Sequence, residues 1–372
     1  MIYVHIPFCR SFCTYCGFYS EIDARCGKEA FARALRKEVV MRSDEISDEV
    51  NTLYIGGGTP SVLPLSVFAG LTDALREAGH GGPYDEFTVE VNPEDVVEKG
   101  EAYIEGLLKL GVNRISMGVQ SFDDHVLKFM NRRHDAATAR KAYAVLENAG
   151  VRNISIDLIF GLPQLSDAQW SETLEKALGI SASGTLPKHI SSYQLSVEPE
   201  SALASLVERG EWTEAPEDLC RRQYEMLCKA LGEAGYHHYE ISNFAREGFE
   251  AKHNGAYWRH VPYVGFGPGA HSLDTRTWTR RWNREDLKGY VADPSSVQDG
   301  EKLTREQVVM ERIMLGLRTS GGVAESYMKE HCNHHELERA LAVGNLVRIP
   351  SGSLRIPESR FFVCDSIISD LV

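Results

Sequence analysis

The sequence is poor in cysteine for its length, short of positive charge, and without a long apolar run. Eight cysteines in 372 residues are too sparse to staple a disulfide scaffold, so the core must be built from apolar side chains. Lysine and arginine number 40 against 53 aspartates and glutamates, a formal net charge of −13. That balance excludes a general affinity for nucleic acid, which needs a concentrated basic face to neutralise phosphates. No segment approaches the roughly 20 apolar residues of a bilayer-crossing helix. The opening stretch Met1–Pro7 has no basic region followed by an apolar run and leads directly into a strand, so a cytoplasmic protein is expected. Internal repeats and low-complexity segments are also missing.

What is present is the composition of an ordinary globular protein, 43% hydrophobic and 25% charged, long enough for one large domain with additions or for two to three domains. Short β-branched or aromatic runs alternate with stretches of helical period, the pattern of a parallel sheet covered by helices. Strands are predicted at Ile2–Ile6, Thr52–Gly56, Phe87–Val91, Arg114–Val119, Ile154–Ile159 and Ile190–Leu195. Helices are predicted at Lys28–Arg42, Leu65–Ala78, Ala102–Leu110, Ala137–Ala149 and Asp167–Leu178. The fold class is therefore α/β, a partial (β/α)6 barrel of the TIM type, with its chemistry at the carboxyl ends of the strands. The pattern changes near residue 200: a long helix at Glu217–Glu233 is followed by strand and loop at Gly235–Phe244 and Tyr263–Leu273. Helices at Thr304–Leu317 and His335–Ala342 then precede a hairpin around Ser351-Gly352, a winged-helix-like ending that reads as a packing or lid domain. The expected boundaries are 1–205 for the barrel, 206–298 for an α+β extension and 299–372 for the C-terminal domain.

The sharpest motif is Cys9-Arg10-Ser11-Phe12-Cys13-Thr14-Tyr15-Cys16, a C-x3-C-x2-C loop just after the first strand. Iron–sulfur clusters usually take four cysteines, so three thiolates in a loop with no nearby fourth leave one iron of a four-iron cubane open to another ligand. A structural zinc site would need a fourth nitrogen or sulfur and commonly pairs C-x2-C units, which are missing elsewhere. Cys26, Cys220, Cys228, Cys332 and Cys364 lack ligand spacing and are expected to be core or incidental thiols.

Next comes Gly56-Gly57-Gly58-Thr59-Pro60, directly after an apolar strand. A glycine run there is ordinarily a tight turn; beside a cysteine loop it also lets backbone N–H groups approach a ligand. This cysteine spacing resembles that of the radical S-adenosylmethionine (SAM) superfamily. The resemblance implies that the open iron is taken by the amino and carboxylate groups of SAM, whose sulfonium bond the cluster cleaves to a 5′-deoxyadenosyl radical. Gly57, Gly58 and Thr59 would then lie against its amino-acid end. Glu90 suits its ammonium group, Arg132 its carboxylate, and Gln120 and Asp157 its ribose hydroxyls. Taken singly, each is as readily a structural polar group; Asp157, flanked by apolar residues, has the strongest need of a partner.

Taken together, Tyr3-x-His5-Ile6-Pro7-Phe8-Cys9, Gly56–Pro60, Gly118–Phe122, Ile156–Pro163, His253-Asn254-Gly255-Ala256-Tyr257-Trp258 and Gly265–Ser272 resemble the HemN/HemW branch of that superfamily, nearly end to end. The resemblance brings Tyr3 into the cofactor-binding set. Two functions divide the branch. Oxygen-independent coproporphyrinogen III oxidases carry a longer segment ahead of the cysteines and a further cysteine two residues past the triplet. Here only eight residues precede Cys9, and that position is Phe18. Both departures match the heme-chaperone group, so heme joins the [4Fe–4S] cluster and SAM as an expected ligand. An acceptor hemoprotein is the expected partner, a weakly membrane-associated one included; monomer and dimer both stay open, and an enzymatic activity is left undecided. The HNxxYW motif implies heme contact through His253, Tyr257 and Trp258, against the alternative of a buried histidine and an aromatic core pair. His271 is a second candidate ligand. Arg276, Arg280, Arg281 and Arg284, interleaved with Trp278 and Trp282, suit heme propionates but equally a solvated edge strand. His237-His238 is expected at the surface. The alternatives are a radical SAM oxidoreductase of tetrapyrrole synthesis and a cluster-based redox sensor or electron carrier.

Overall fold

The structure, a computed structural model, describes residues 1–22, 27–47 and 49–372; Cys26 lies outside them. Six strands, β1 (Ile2–Ile6), β2 (Thr52–Gly57), β3 (Glu86–Val91), β4 (Arg114–Gln120), β5 (Ile154–Phe160) and β6 (His189–Gln194), lie parallel in sequence order. Between them run α1 (Lys28–Met41), α2 (Leu65–Glu77), α3 (Pro93–Lys109), α4 (Ala136–Asn148) and α5 (Asp167–Leu178). Side chains alternate across each strand. Ile2, Val4, Leu53, Ile55, Phe87, Val89, Ile115, Met117, Ile154 and Ile156 join the apolar core with the helices. The opposite set, which includes Tyr54, Glu90, Arg114, Ser116 and Asp157, faces a central cavity.

Local chemistry sets the helix starts. Asp135 accepts from the Thr138 N–H at 2.7 Å to open α4, and Ser166 with Gln169 forms a capping box on α5. α3 begins at Pro93, nine residues before its predicted start, because Gly100 interrupts it with φ 69° and breaks the helical period. Proline at the first helical position leaves no N–H to satisfy.

The sheet continues past the sixth strand. After a helix at Glu217–Glu233 that packs on α5, β7 (His237–Glu240) and β8 (Asn243–Ala245) extend it antiparallel beyond β6, and β9 (Val264–Phe266) pairs parallel with β1. The order is β9-β1-β2-β3-β4-β5-β6-β8-β7, so residues beyond 206 supply both of its edges. The helix Lys252–Trp258 lies at the amino-terminal end of the barrel, where the Glu86 carboxylate accepts from the N–H groups of Lys252 and His253 at 2.8 and 3.0 Å; an anion there also favours the helix dipole. Thr279–Asn283 is the middle strand of a three-stranded antiparallel sheet with His271–Asp274 and Gln298–Lys302, not an edge. In the C-terminal section, helices at Arg305–Leu317 and His334–Ala342 and the hairpin Val347–Arg348 with Ser353–Arg355 match expectation. A third strand, Val323–Ala324, and helices at Glu325–His331 and Cys364–Leu371 add to them. One apolar cluster runs from Ile2 to Leu371.

Candidate cluster and cofactor site

The carboxyl ends of the parallel strands open on a cavity of about 940 Å³. Pro7 ends β1, and the chain leaves it as a loop whose ends are held together by pairing of Phe8–Cys9 with Glu21–Ile22. Cys9, Cys13 and Cys16 all line the cavity. The loop is pinned from several sides: the Thr14 N–H donates to the Met130 carbonyl at 3.1 Å, its hydroxyl to the Phe129 carbonyl at 2.8 Å, and the Asn131 amide to the Phe12 carbonyl at 2.7 Å.

The glycine run seats this loop. Gly58 and Thr59 donate their N–H groups to the carbonyls of Ile6 and Phe8 at 2.8 and 2.7 Å. A β-carbon at Gly58 would stand 2.8 Å from the Phe8 carbonyl oxygen and 3.1 Å from Cys9 Sγ, and Gly57 holds φ +107°, a region that favours glycine. Thr59 Oγ1 lies 3.3 Å from Cys9 Sγ. Burial pushes the Cys9 thiol up, and Cys16 to about 11, so thiolates here need a cation. Iron supplies one. Arg132 adds another, with Nη1 3.3 Å from Cys13 Sγ while Nη2 donates to Asn92 Oδ1 at 2.8 Å and to the Gly118 carbonyl at 2.7 Å. Three thiols on one loop lining one cavity, with a guanidinium alongside, suit a [4Fe–4S] cluster that keeps one iron open.

Glu90, Gln120, Arg132 and Asp157 line the same cavity. Tyr54 and the Gly57 N–H donate to the Glu90 carboxylate at 2.6 and 3.1 Å, yet burial raises its pKa to about 7. The Asp157 carboxyl is also raised by burial, offset by the Ser191 and Ser116 hydroxyls, the latter 3.3 Å away. Gln120 sits at a bulge between β4 and β5 with φ 65°, a conformation that costs a non-glycine residue energy and recurs at ligand sites. Arg132 follows the short helix Asp124–Phe129 rather than a strand.

The remaining candidates lie apart. The Tyr3 hydroxyl is 3.1 Å from His5 Nδ1, outside the cavity lining. His253 is 1% exposed, with Nδ1 2.9 Å from Thr52 Oγ1 and Nε2 3.2 Å from the Tyr257 hydroxyl. Its ring tilts against Tyr54 and meets Tyr257 edge-on. Tyr257 also packs edge-on against Tyr263, and Trp258 is half-buried at the helix end. Of the motif, it is Asn254 that lines the cavity. His271 is exposed, its ring stacked on Trp282. Arg276, Arg280 and Arg281 pair with Asp274, Glu311 and Glu45, and Arg284 donates to the Ser296 carbonyl. His238 is buried against Phe244, ring centroids 4.0 Å apart, not at the surface; only His237 is exposed. Cys220 and Cys364 are buried. Sequence reasoning missed Arg114, Ser116, Ser191, Asn92 and Tyr54 in the lining. The signal was available in β4, where Arg114, Ser116, Gly118 and Gln120 alternate with Ile115, Met117 and Val119.

A parallel barrel whose first strand delivers three cysteines to the cavity defines the radical SAM class, and residues 3–177 match the family model described as the Radical SAM superfamily. The curated protein named heme chaperone HemW of Synechocystis sp. is 34% identical over 86% of this chain and 78% of its own. Those of Bacillus subtilis and Lactococcus lactis are 33% and 36% identical, over 88% and 86% of this chain and 86% and 82% of theirs. The chain belongs to the HemW family within the radical SAM superfamily. The solved structure of coproporphyrinogen III oxidase (HemN) from Escherichia coli superposes with a TM-score of 0.80 at 22% identity, covering 99% of this chain and 89% of that one, so the two share the fold. Membership brings a [4Fe–4S] cluster and SAM as cofactors, and the donor set suits both. Among the described residues no helix is long and apolar enough to cross a membrane.

Proposed function

We propose that the protein is a heme chaperone that binds heme and delivers it to an acceptor protein. The observation that carries this is its kinship: relatives named heme chaperones are 33–36% identical across more than four-fifths of the chain. The site supports it. Phe18 lines the cavity and is 71% exposed, an apolar rim residue where the oxidase places another thiol. In this reading Cys9, Cys13 and Cys16 hold three irons and the fourth takes SAM, which when bound supplies the potential for radical chemistry. Gly57, Gly58 and Thr59 seat the amino-acid end, Glu90 accepts from the amino group, Arg132 holds the carboxylate, and Asp157 with Gln120 fixes the ribose. Tyr3 supports the shell through His5. Heme contact by His253 requires its ring to release Thr52 or Tyr257, because both nitrogens are engaged; Tyr257 and Trp258 would stack on the macrocycle. We place the activity in the cytoplasm, with a soluble or weakly membrane-associated acceptor.

The test is anaerobic. Hemin added to the cluster-loaded protein should give a stoichiometric Soret band and pass to an apo-hemoprotein. Coproporphyrinogen III with SAM and reductant should stay undecarboxylated. Turnover to protoporphyrinogen, or no heme binding, would overturn the reading.

A further inference from the structure

Beneath the level of the cysteines the cavity has a floor that the cofactors leave without a role. Arg114, first residue of β4, is 2% exposed and lines the cavity, and among the described residues its Nε has no hydrogen-bond partner. A buried N–H without an acceptor costs about 1–3 kcal/mol, a cost that an acceptor entering the cavity would remove. Thr88, its register partner on β3, is fully buried, and its hydroxyl is likewise unpartnered among the described residues. Glu90 and Asp157 act on Arg114 only through space: the first is held by Tyr54 and Gly57, the second by Ser116 and Ser191. The other floor groups, Ser116, Ser191 and Asn254, are neutral hydrogen-bonding side chains. A volume of about 940 Å³ is at the upper end of the roughly 300–1,000 Å³ of small-ligand sites, with room beside one nucleoside.

We propose that Arg114 receives a carboxylate arm of the ligand entering the barrel beneath the nucleoside, and that this arm is a propionate of the tetrapyrrole. The proposal rests on the heme-chaperone reading. A planar guanidinium fork is the side chain best matched to a carboxylate, and Asn254 of the HNxxYW helix lines the same cavity.

Soret titrations of hemin and hemin dimethyl ester against the cluster-loaded wild type, Arg114→Lys and Arg114→Gln test it. The wild type should prefer the diacid by about ten- to a hundredfold, the range of one hydrogen bond to a charged group. Arg114→Gln should bind both as the wild type binds the ester, and Arg114→Lys should restore part of the preference. The wild-type comparison needs no variant to fold, and cluster absorbance reports the state of the variants. Equal binding of diacid and ester by the wild type overturns the proposal, as does an intact preference in Arg114→Gln. Loss of SAM affinity with the heme preference intact would assign Arg114 to the methionyl carboxylate, and also overturns it. Failure of the wild type to bind hemin at all is a different result, which sinks the chaperone reading itself.

Discussion

Replacing His253 with glutamine tests whether this histidine supports the barrel floor in the heme-free protein. The ring is buried, bonded at both nitrogens and packed on Tyr54. Burial, then the chain's terminal ammonium group and Arg114, hold its pKa down at about 3, against about 6.5 in an unfolded chain. In that window the unfolded state binds the extra proton, so the histidine's contribution is full above about pH 6.5 and declines as pH falls. By pH 5 the loss relative to pH 7 is about 2 kcal/mol. Glutamine has no such proton to take up. Urea unfolding of both proteins at pH 7 and pH 5 should show the wild type losing about 2 kcal/mol more than His253→Gln over that interval, since every other titrating group is common to both. At pH 7 the variant should itself be less stable by about 1–3 kcal/mol for the lost hydrogen bonds and ring packing. Equal pH losses in the two proteins would refute the reasoning and show a ring already open to protonation.

Gly58→Ala drives a β-carbon against the Phe8 carbonyl and Cys9 Sγ, so iron content and cluster absorbance after reconstitution should fall several-fold while the far-ultraviolet circular dichroism holds; full cluster loading would contradict the seating role. Glu38→Gln weakens a fully buried carboxylate that accepts from Arg42, the Gly267 N–H, Asn283 and Tyr290 at 2.7–2.9 Å, and thermal unfolding should show a loss of about 3 kcal/mol or more. Because burial raises the Glu90 carboxyl to about 7 and its ionised form is the better acceptor for the amino N–H groups, SAM should bind more tightly as pH rises from 6 to 8. Calorimetry on Glu90→Gln should find that dependence flattened; an unchanged slope would remove Glu90 from the amino-group site.

Much of this was written plainly in the chain. The six parallel strands were legible because each is a short run with buried apolar residues on its outer face, and the cysteine spacing and glycine run announced the cofactor end. Structure hidden from the sequence had particular causes. Gly100 broke the period of α3, and short helices such as Ala202–Glu208 and Cys364–Leu371 owe their existence to packing rather than to length. Gly235–Phe244 and Tyr263–Leu273 read as strand and loop, but the three-residue strands Asn243–Ala245 and Val264–Phe266 within or beside them carry too few alternations to fix their bounds or their place at the edges of the main sheet. The motif around His253 named a set of residues but not which of them faces the ligand cavity; a short helix docked on the barrel floor turns Asn254 inward and His253 toward Thr52, and sequence spacing alone cannot set that rotation.

The pairing of β9 with β1 bears on how the molecule is made. The cysteines at 9, 13 and 16 are made well before the strand that flanks theirs, which begins at Val264, and Gly267 and Gly269 close against His5 and Tyr19 only after that. During synthesis the thiols are therefore early in production and late in shelter. The nascent chain presents them to iron and to oxidants until that strand is made, so the order of assembly itself defines the interval in which a cluster can be installed before the wall beside it is complete.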